Sequence, residues 1–287
     1  MDIEQARTFL AIAAHGSFLE AAARLHVTQS TVSSRIRNLE SDLGARLFVR
    51  NRAGASLTPA GRRFLQHAKT LVLTVEQARH DLGLPERYRA SLRVGGRIAL
   101  WDGFLPRWVG WMRRTGPDVS IRSEIGFEED LMRRLIEGTL DIGLMYTPSH
   151  APGLMVEHLF DETLVLVSSR PDSRWPDDHY IYVDWGPGFY AKHRESYPDL
   201  ERPPQVVNIG WLAVQLILAN GGSCFLPVRM AKPLIDAGRL FQVVDGPEFI
   251  QPAYMVFPRE VESEVLRQAL QGLRELAREQ QGGQGGA

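Results

Sequence analysis

Cysteine is almost absent from this chain of 287 residues. Cys224 stands alone, so no internal disulfide can form and no cysteine-based metal site can be assembled. Histidine offers no substitute. His150, His158, His179 and His193 are scattered, with no HExxH or comparable metal spacing. Ser223 and Cys224 lack a GxSxG elbow and any His or Asp at a recognisable interval, and there is no glycine-rich phosphate loop. Asp141, close to a glycine, reads as a strand end and not as a catalytic acid. Catalysis is set aside on these absences; no catalytic residue, metal or cofactor is expected. Also missing is any apolar run long enough to cross a membrane. The opening MDIEQARTFL is acidic where a secretion signal would be basic and then apolar. The expectation is a cytoplasmic protein with no membrane contact.

What is present is a globular composition, 44% hydrophobic, on a chain long enough for two or three cores. The net charge of -1 conceals a split. Residues 1–90 hold 13 Lys/Arg against 8 Asp/Glu, while the remainder holds 20 against 26. A basic head on an acidic body fits nucleic-acid binding at one end only.

The head is organised around residues 17–58. Ile3, Ala6, Phe9, Leu10 and Ala13 make a first amphipathic helix. Ser17, with Glu20 three places on, has capping-box spacing before the helical run SFLEAAARL. After a short connection, Thr28 is placed to cap a second helix whose Val32, Ile36 and Leu39 share one face. The other face carries Thr28, Gln29, Ser30, Thr31, Ser33, Ser34, Arg35 and Arg37, with no carboxylate until Glu40. Hydroxyls there can meet phosphates, and Gln and Arg can reach base edges in a major groove. Leu43, Leu47 and Phe48 read as another packed helix and the start of a strand. Arg50, Asn51, Arg52, Ala53 and Gly54 then form the basic turn that a wing requires.

Thr58 and Pro59 open a long helix, a cap residue followed by the position where proline is welcome. Phe64, Ala68, Leu71, Val75, Ala78 and Leu82 advance through it by fours and threes, the heptad seam of helices pairing side by side. A helix packed on its own domain would carry the same stripe. Arg62 and Arg63, at its start, are further candidates for phosphate contact. Gly83-Leu84-Pro85 ends the helix and Glu86–Arg89 is the expected hinge.

Beyond residue 90 the pattern becomes strand, helix, strand, helix, strand, which is α/β with a mostly parallel sheet. Glu162 to Ser168 reads as a strand crossing into a second lobe, Tyr254 to Phe257 as a late strand and Val261 to Arg278 as a terminal helix. The closing QQGGQGGA has no side chains able to bury and is expected to be disordered. In such folds ligands sit past the carboxyl ends of strands. The corresponding loops hold Arg97, Ile98, Leu100 and Trp101; Gly126 and Phe127; Tyr146 and Thr147; Asp184 and Trp185; and Asn208 to Trp211. Gly221 adds an exposed backbone amide. The aromatics and Arg97 point to an apolar or aromatic small molecule, with an acidic group. The plainer reading is that Trp101 and Trp211 cover lobe cores.

Many of these pieces resemble one family. Phe9-Leu10, Ser17-Phe18, Ala21-Ala22, Leu25, Thr28-Gln29-Ser30, Val32-Ser33, Ile36, Leu39-Glu40, Leu43-Gly44, Leu47-Phe48, Arg50 and Leu57-Thr58-Pro59-Ala60-Gly61 are similar to the DNA-binding region of LysR-type transcriptional regulators. Many members have proline at the position of Ser30 and glutamine at that of Arg35, and both departures fall on the expected DNA face. Gly138 with Leu140-Asp141-Ile142-Gly143, and the GGSCFLP turn, extend the resemblance into the body. The fold it implies is α/β with an N-terminal all-helical winged helix-turn-helix, a long linker helix and a two-lobed periplasmic-binding-protein-like effector domain. The expected divisions are residues 1–58 for the DNA-binding domain, 59–90 for the dimerisation linker and hinge, and 91–280 for the effector domain. Within the last, lobe I is 91–161 plus 259–280 and lobe II is 162–258, leaving a tail at 281–287. The implied function is a sequence-specific DNA-binding regulator, a homodimer and by resemblance a homotetramer, modulated by an effector between the lobes. The alternatives are a ligand-independent or architectural DNA-binding protein, and a binding protein or enzyme with an appended DNA-binding head.

Overall fold

The computed structural model describes residues 1–51, 54–173, 175, 178–198, 200, 203, 205–244 and 246–284. Two compact units make up the chain, one built on Met1–Glu86 and the other on the bulk of the remainder.

In the first unit, α1 (Ile3–His15), α2 (Phe18–Arg24) and α3 (Gln29–Leu43) are followed by the hairpin strands β1 (Phe48–Asn51) and β2 (Gly54–Leu57) and by α4 (Pro59–Leu82). Phe9, Ile12, Ala21, Val32, Ile36, Leu39 and Leu47 are buried together, each large one contributing about 1.5–3 kcal/mol. Phe9 meets Phe48 and Phe64 at ring-centroid distances of 5.2 and 5.0 Å.

The helix ends follow from local chemistry. Thr28 Oγ1 accepts the Thr31 amide at 3.2 Å, and Ser17 Oγ accepts that of Glu20 at 3.3 Å. The complete two-way capping box closes elsewhere, between Asp2 and Gln5. No separate helix begins at Leu43. It is the last residue of α3, which stops because Gly44 takes φ 62°. Glu40 then accepts the amides of Leu47 and Phe48 at 2.7 and 3.2 Å, fastening the wing to α3. Thr58 Oγ1 donates to the Arg46 carbonyl at 2.7 Å and accepts the Gly61 amide at 2.9 Å. A Cβ on Gly61 would lie 2.2 Å from the Leu47 carbonyl oxygen, so glycine is required there.

The long helix has the expected bounds, but its seam is divided. Ala68 is buried and Phe64 half-buried in the core of their own unit. Leu71 is 37% and Leu82 89% exposed, Ala78 is exposed and Val75 half-buried.

The second unit runs β3 (Ala90–Gly96), α5 (Ile98–Trp101), α6 (Phe104–Thr115), β4 (Val119–Ile125), α7 (Glu128–Ile136), β5 (Ile142–Met145) and β6 (Leu154–Ser168). It continues with β7 (Ile181–Val183), α8 (Pro187–Ser196), β8 (Gln205–Val207), α9 (Gly210–Asn220), β9 (Ser223–Pro227), α10 (Val228–Asp236), β10 (Phe241–Gln242), β11 (Phe249–Pro258) and α11 (Glu264–Gln284). One sheet has the order β10-β6-β11-β5-β3-β4, with β9 also on β6. β3 is parallel to β4 and β5, whereas β11 runs antiparallel to both β5 and β6. β7 and β8 form a parallel pair joined to β9 by a bridge between Tyr180 and Ser223.

Two long strands therefore cross between the lobes, not one short one. The register of β11 against β6 shifts at Ala253/Tyr254. Past that point Tyr254, Met255 and Val256 pair with β5, so residues 254–258 join lobe I and not the expected lobe II. The terminal helix continues to Gln284, four residues into the expected disordered tail; residues 285–287 lie outside the described residues. Cys224 is fully buried, and that burial pushes its thiol pKa well up.

Candidate nucleic-acid interface and interlobe cleft

On α3 the first turn is preorganised. Thr28 Oγ1 lies 2.8 Å from both Ser30 Oγ and Thr31 Oγ1, so the hydroxyls of this turn hold one another in place. Thr28, Gln29, Ser30 and Arg37 are exposed, while Thr31, Ser33 and Ser34 are half-buried. Arg35 does not extend from this face alone. It lies three residues after Val32 and four before Leu39, at the margin of the buried stripe. Its guanidinium reaches Glu4 Oε2 at 3.3 Å and Thr8 Oγ1 at 3.4 Å on α1. Glu4 also pairs with Arg7, which meets Glu76 of α4.

Arg62 is exposed and donates to the Leu57 carbonyl at 3.0 Å, and Arg63 is exposed. Arg50 is on β1, but its side chain and the whole of Arg52 lie outside the described residues. Sequence reasoning passed over Arg46, which is exposed between α3 and β1. With Arg37, Thr58 and Val49 it lines a hollow of about 460 Å³.

In the second unit the loops after β3, β4 and β5 meet the segment between β8 and α9. Arg97 is only 7% exposed. Its guanidinium pairs with Glu128 at 3.2 Å, sits 4.5 Å from the Phe127 ring centroid and donates to the Asn208 carbonyl at 3.5 Å. Arg97 Nε is buried without a partner. Glu128 and Phe127 belong to lobe I and Asn208 to lobe II, so one side chain spans both.

Beneath it lies a buried relay. The Tyr146 hydroxyl donates to Glu162 Oε2 at 2.6 Å, and Arg229 Nε donates to Glu162 Oε1 at 2.9 Å. Burial and the neighbouring Glu162 charge hold the Tyr146 pKa well up. Burial opposes the Arg229 charge, but Glu162 and Tyr146 outweigh it and raise the pKa. Arg229 Nη1 is a second buried guanidinium nitrogen without a partner. The sequence reading missed Glu162 and Arg229. For Glu162 the signal was there, since it shares the inward face of β6 with Phe160 and Leu164.

The remaining candidates separate. Thr147, Phe127 and Asn208 are exposed and Ile98 half-buried. Leu100 is fully buried, and Trp185 is closed into the lobe II core with its indole donating to the Phe225 carbonyl at 3.0 Å. Trp101 is half-buried, and its indole donates to the Glu124 carbonyl at 2.9 Å, tying α5 to β4. Trp211 is 53% exposed. Gly221 ends α9, whereas Asn208 stands just before its start. Eleven helical residues separate them, about 16 Å of helix, which takes Gly221 away from Arg97.

Among the described residues, no group of three or more His, Cys, Asp or Glu side chains could hold a metal ion, and no helix is long and apolar enough to cross a membrane.

Residues 3–62 match the family described as bacterial regulatory helix-turn-helix protein, lysR family, and residues 85–280 match the LysR substrate binding domain. A relative named HTH-type transcriptional regulator HdfR, from Escherichia fergusonii, is 31% identical over 260 residues, covering 90% of this chain and 92% of its own. The fold is that of full-length CbnR, solved as a complex with target DNA, at a TM-score of 0.68 and 20% identity over 96% of this chain and all of that one. LysG from Corynebacterium glutamicum, solved with bound effector Arg, gives 0.57 at 21% identity over 97% of this chain and 99% of that one. The chain belongs to the LysR family and is a DNA-binding transcriptional regulator with an α/β effector-binding domain.

Proposed function

We propose that this regulator binds DNA as a homodimer through the exposed face of α3, the wing and the start of α4, and that a small molecule held between the lobes sets its activity. The DNA-facing set is Thr28, Gln29, Ser30, Thr31, Ser33, Ser34, Arg35, Arg37, Arg50, Arg52, Arg62 and Arg63. Phosphate contacts come from the hydroxyls and arginines, and base reading from Gln29 and Arg37. CbnR, solved on target DNA, supports this placement. Pairing uses the exposed part of the seam, Leu71, Val75, Ala78 and Leu82, because Phe64 and Ala68 are occupied in their own core. Two heads joined in this way read a roughly two-fold symmetric site. A tetramer is the family-based extension.

The observation that carries the effector site is Arg97, which spans the lobes with its Nε unsatisfied. An effector oxygen accepting that N–H would be worth more than a neutral contact, since the donor is charged and buried. Phe127 and Thr147 complete a surface for an aromatic or apolar molecule with an acidic group. Such a ligand shifts the regulator only as far as it binds two lobe geometries unequally. LysG, solved with effector Arg, supports a small molecule in this fold. The protein acts by binding and not by catalysis, and works in the cytoplasm.

The test is selection of bound fragments from the source genome by purified protein at fixed salt. A compact, roughly palindromic site supports the reading, and sequence-indifferent binding overturns it. In sedimentation, Leu71→Asp should yield smaller assemblies; intact assembly would remove α4 from the dimer interface.

A further inference from the structure

Lobe II holds a second cavity, of about 670 Å³, between α8 and the β7–β8 pair. That is the size of a small-molecule site. Its lining includes Tyr182, Pro187, Tyr190, His193, Tyr197 and Val206. It shares no residue with Arg97, Phe127, Thr147 or Asn208. Asp184, read from the sequence as a cleft residue, lines this cavity and accepts the Gly186 amide at 3.0 Å.

Two features show a site fitted for a ligand. The first is an aromatic wall. Tyr182 meets Phe189 and His193 at ring-centroid distances of 5.6 and 5.2 Å, and His193 meets Tyr197 at 5.3 Å. The second is a pair of unused donors. Tyr182 is 8% exposed, and its hydroxyl is buried without a partner among the described residues, as is that of Tyr197. A buried hydroxyl with nothing to bond is costly and rare, and two on one cavity call for an acceptor. Burial raises both phenol pKa values, so both remain donors at neutral pH. His193 does not compete for the role. Its Nε2 is 3.0 Å from the Tyr180 hydroxyl, and burial lowers its pKa to about 4, leaving the ring neutral. Arg194 at the rim favours an anionic over a cationic guest.

We propose that this cavity is a second small-molecule site, independent of the interlobe cleft. Its guest is a mono- or bicyclic aromatic molecule with a carboxylate or carbonyl oxygen that accepts from the Tyr182 hydroxyl, with Tyr197 as second donor. The rings supply the contact area, and the two hydroxyls fix orientation.

The experiment titrates full-length protein with naphthoate, and with the uncharged naphthamide, by calorimetry. Saturable binding is expected, with naphthoate the tighter. Val206→Trp should abolish it, because that residue is 62% exposed on β8 and a larger side chain fills the cavity without disturbing a core. Circular dichroism and retained DNA binding establish that this variant is folded. Tyr182→Phe should weaken binding about tenfold yet leave the unliganded melting temperature unchanged or raised, since the deleted hydroxyl has no partner. Asn208→Trp, in the interlobe cleft, should leave naphthoate binding intact. No saturable binding of either probe, or binding that survives Val206→Trp, overturns the proposal. Loss in Asn208→Trp with retention in Val206→Trp would place the probe in the cleft and also overturn it. An unchanged affinity in Tyr182→Phe removes the hydroxyl from recognition.

Discussion

In the head, most polar side chains find their partners within three or four residues, as in Thr28 with Thr31, Ser17 with Glu20 and Thr58 with Gly61. In the body, partners come from far along the chain, as in Arg93 with Asp141 and Glu162 with Arg229. Some of the body's donors stay unmet, notably Arg97 Nε and Arg229 Nη1. The head is thus a preset surface whose ligand supplies only phosphates and bases. The body keeps charge under cover, where a small change in contacts has a large energetic effect.

Cutting the buried relay should break that contrast most visibly. Glu162→Ala strands Arg229 and should cost about 3–5 kcal/mol of body stability. Urea denaturation followed by body tryptophans would show it, and a loss under about 1 kcal/mol would mean that solvent reaches the pair.

The next effect concerns pH. The folded pKa of His193 lies near 4, below its ordinary 6.5, because burial disfavours the charged form. The neutral ring's contribution is therefore fully present above about pH 6.5 and lost as pH falls toward 4, by roughly 1–3 kcal/mol. Unfolding at pH 7.5 and 5 should reveal the drop, and His193→Phe should flatten it. The head has no counterpart to this dependence among groups with a resolved shift; its only such group, the amino terminus, is fully exposed.

Arg35 sharpens the comparison because it sits between the two modes. If it reads a base, Arg35→Ala should cost about 1–3 kcal/mol at the true site only. If it serves as a strut to Glu4 and Thr8, binding should fall only as far as the head loses stability. Binding titrations on specific and random DNA, with melting of the same variant, separate the two. Smallest of all, Thr28→Ala should lower head stability by about 1 kcal/mol, seen as a lower melting temperature with the body transition unmoved.

The same division decided what could be read before the fold was known. Thr28, Thr58 and Pro59 announced themselves because a cap is a local event, and α4 has the bounds read from its cap and breaker residues. The heptad count could not tell Ala68, buried in its own unit, from Leu82, left outside, because both sit at the same helical angle. In the body, the β7–α8–β8 segment went largely unread. Its strands are three residues each, too short for a period of two to declare itself. Arg97 was legible as a cation in a strand-end loop, but Glu162 was absorbed into an apolar strand. Only the partner contributed by Arg229 shows why a charge belongs there.

The two strands that pass from lobe to lobe remain hydrogen-bonded to each other through most of their length, 15 residues in β6 and 10 in β11. Such a joint behaves as a leaf spring and not as a pin. It bends most readily at the register shift beside Tyr254, and any displacement stores elastic energy that favours return. An effector therefore works against a restoring force, and its signal should be a small, graded twist that ends when the molecule leaves.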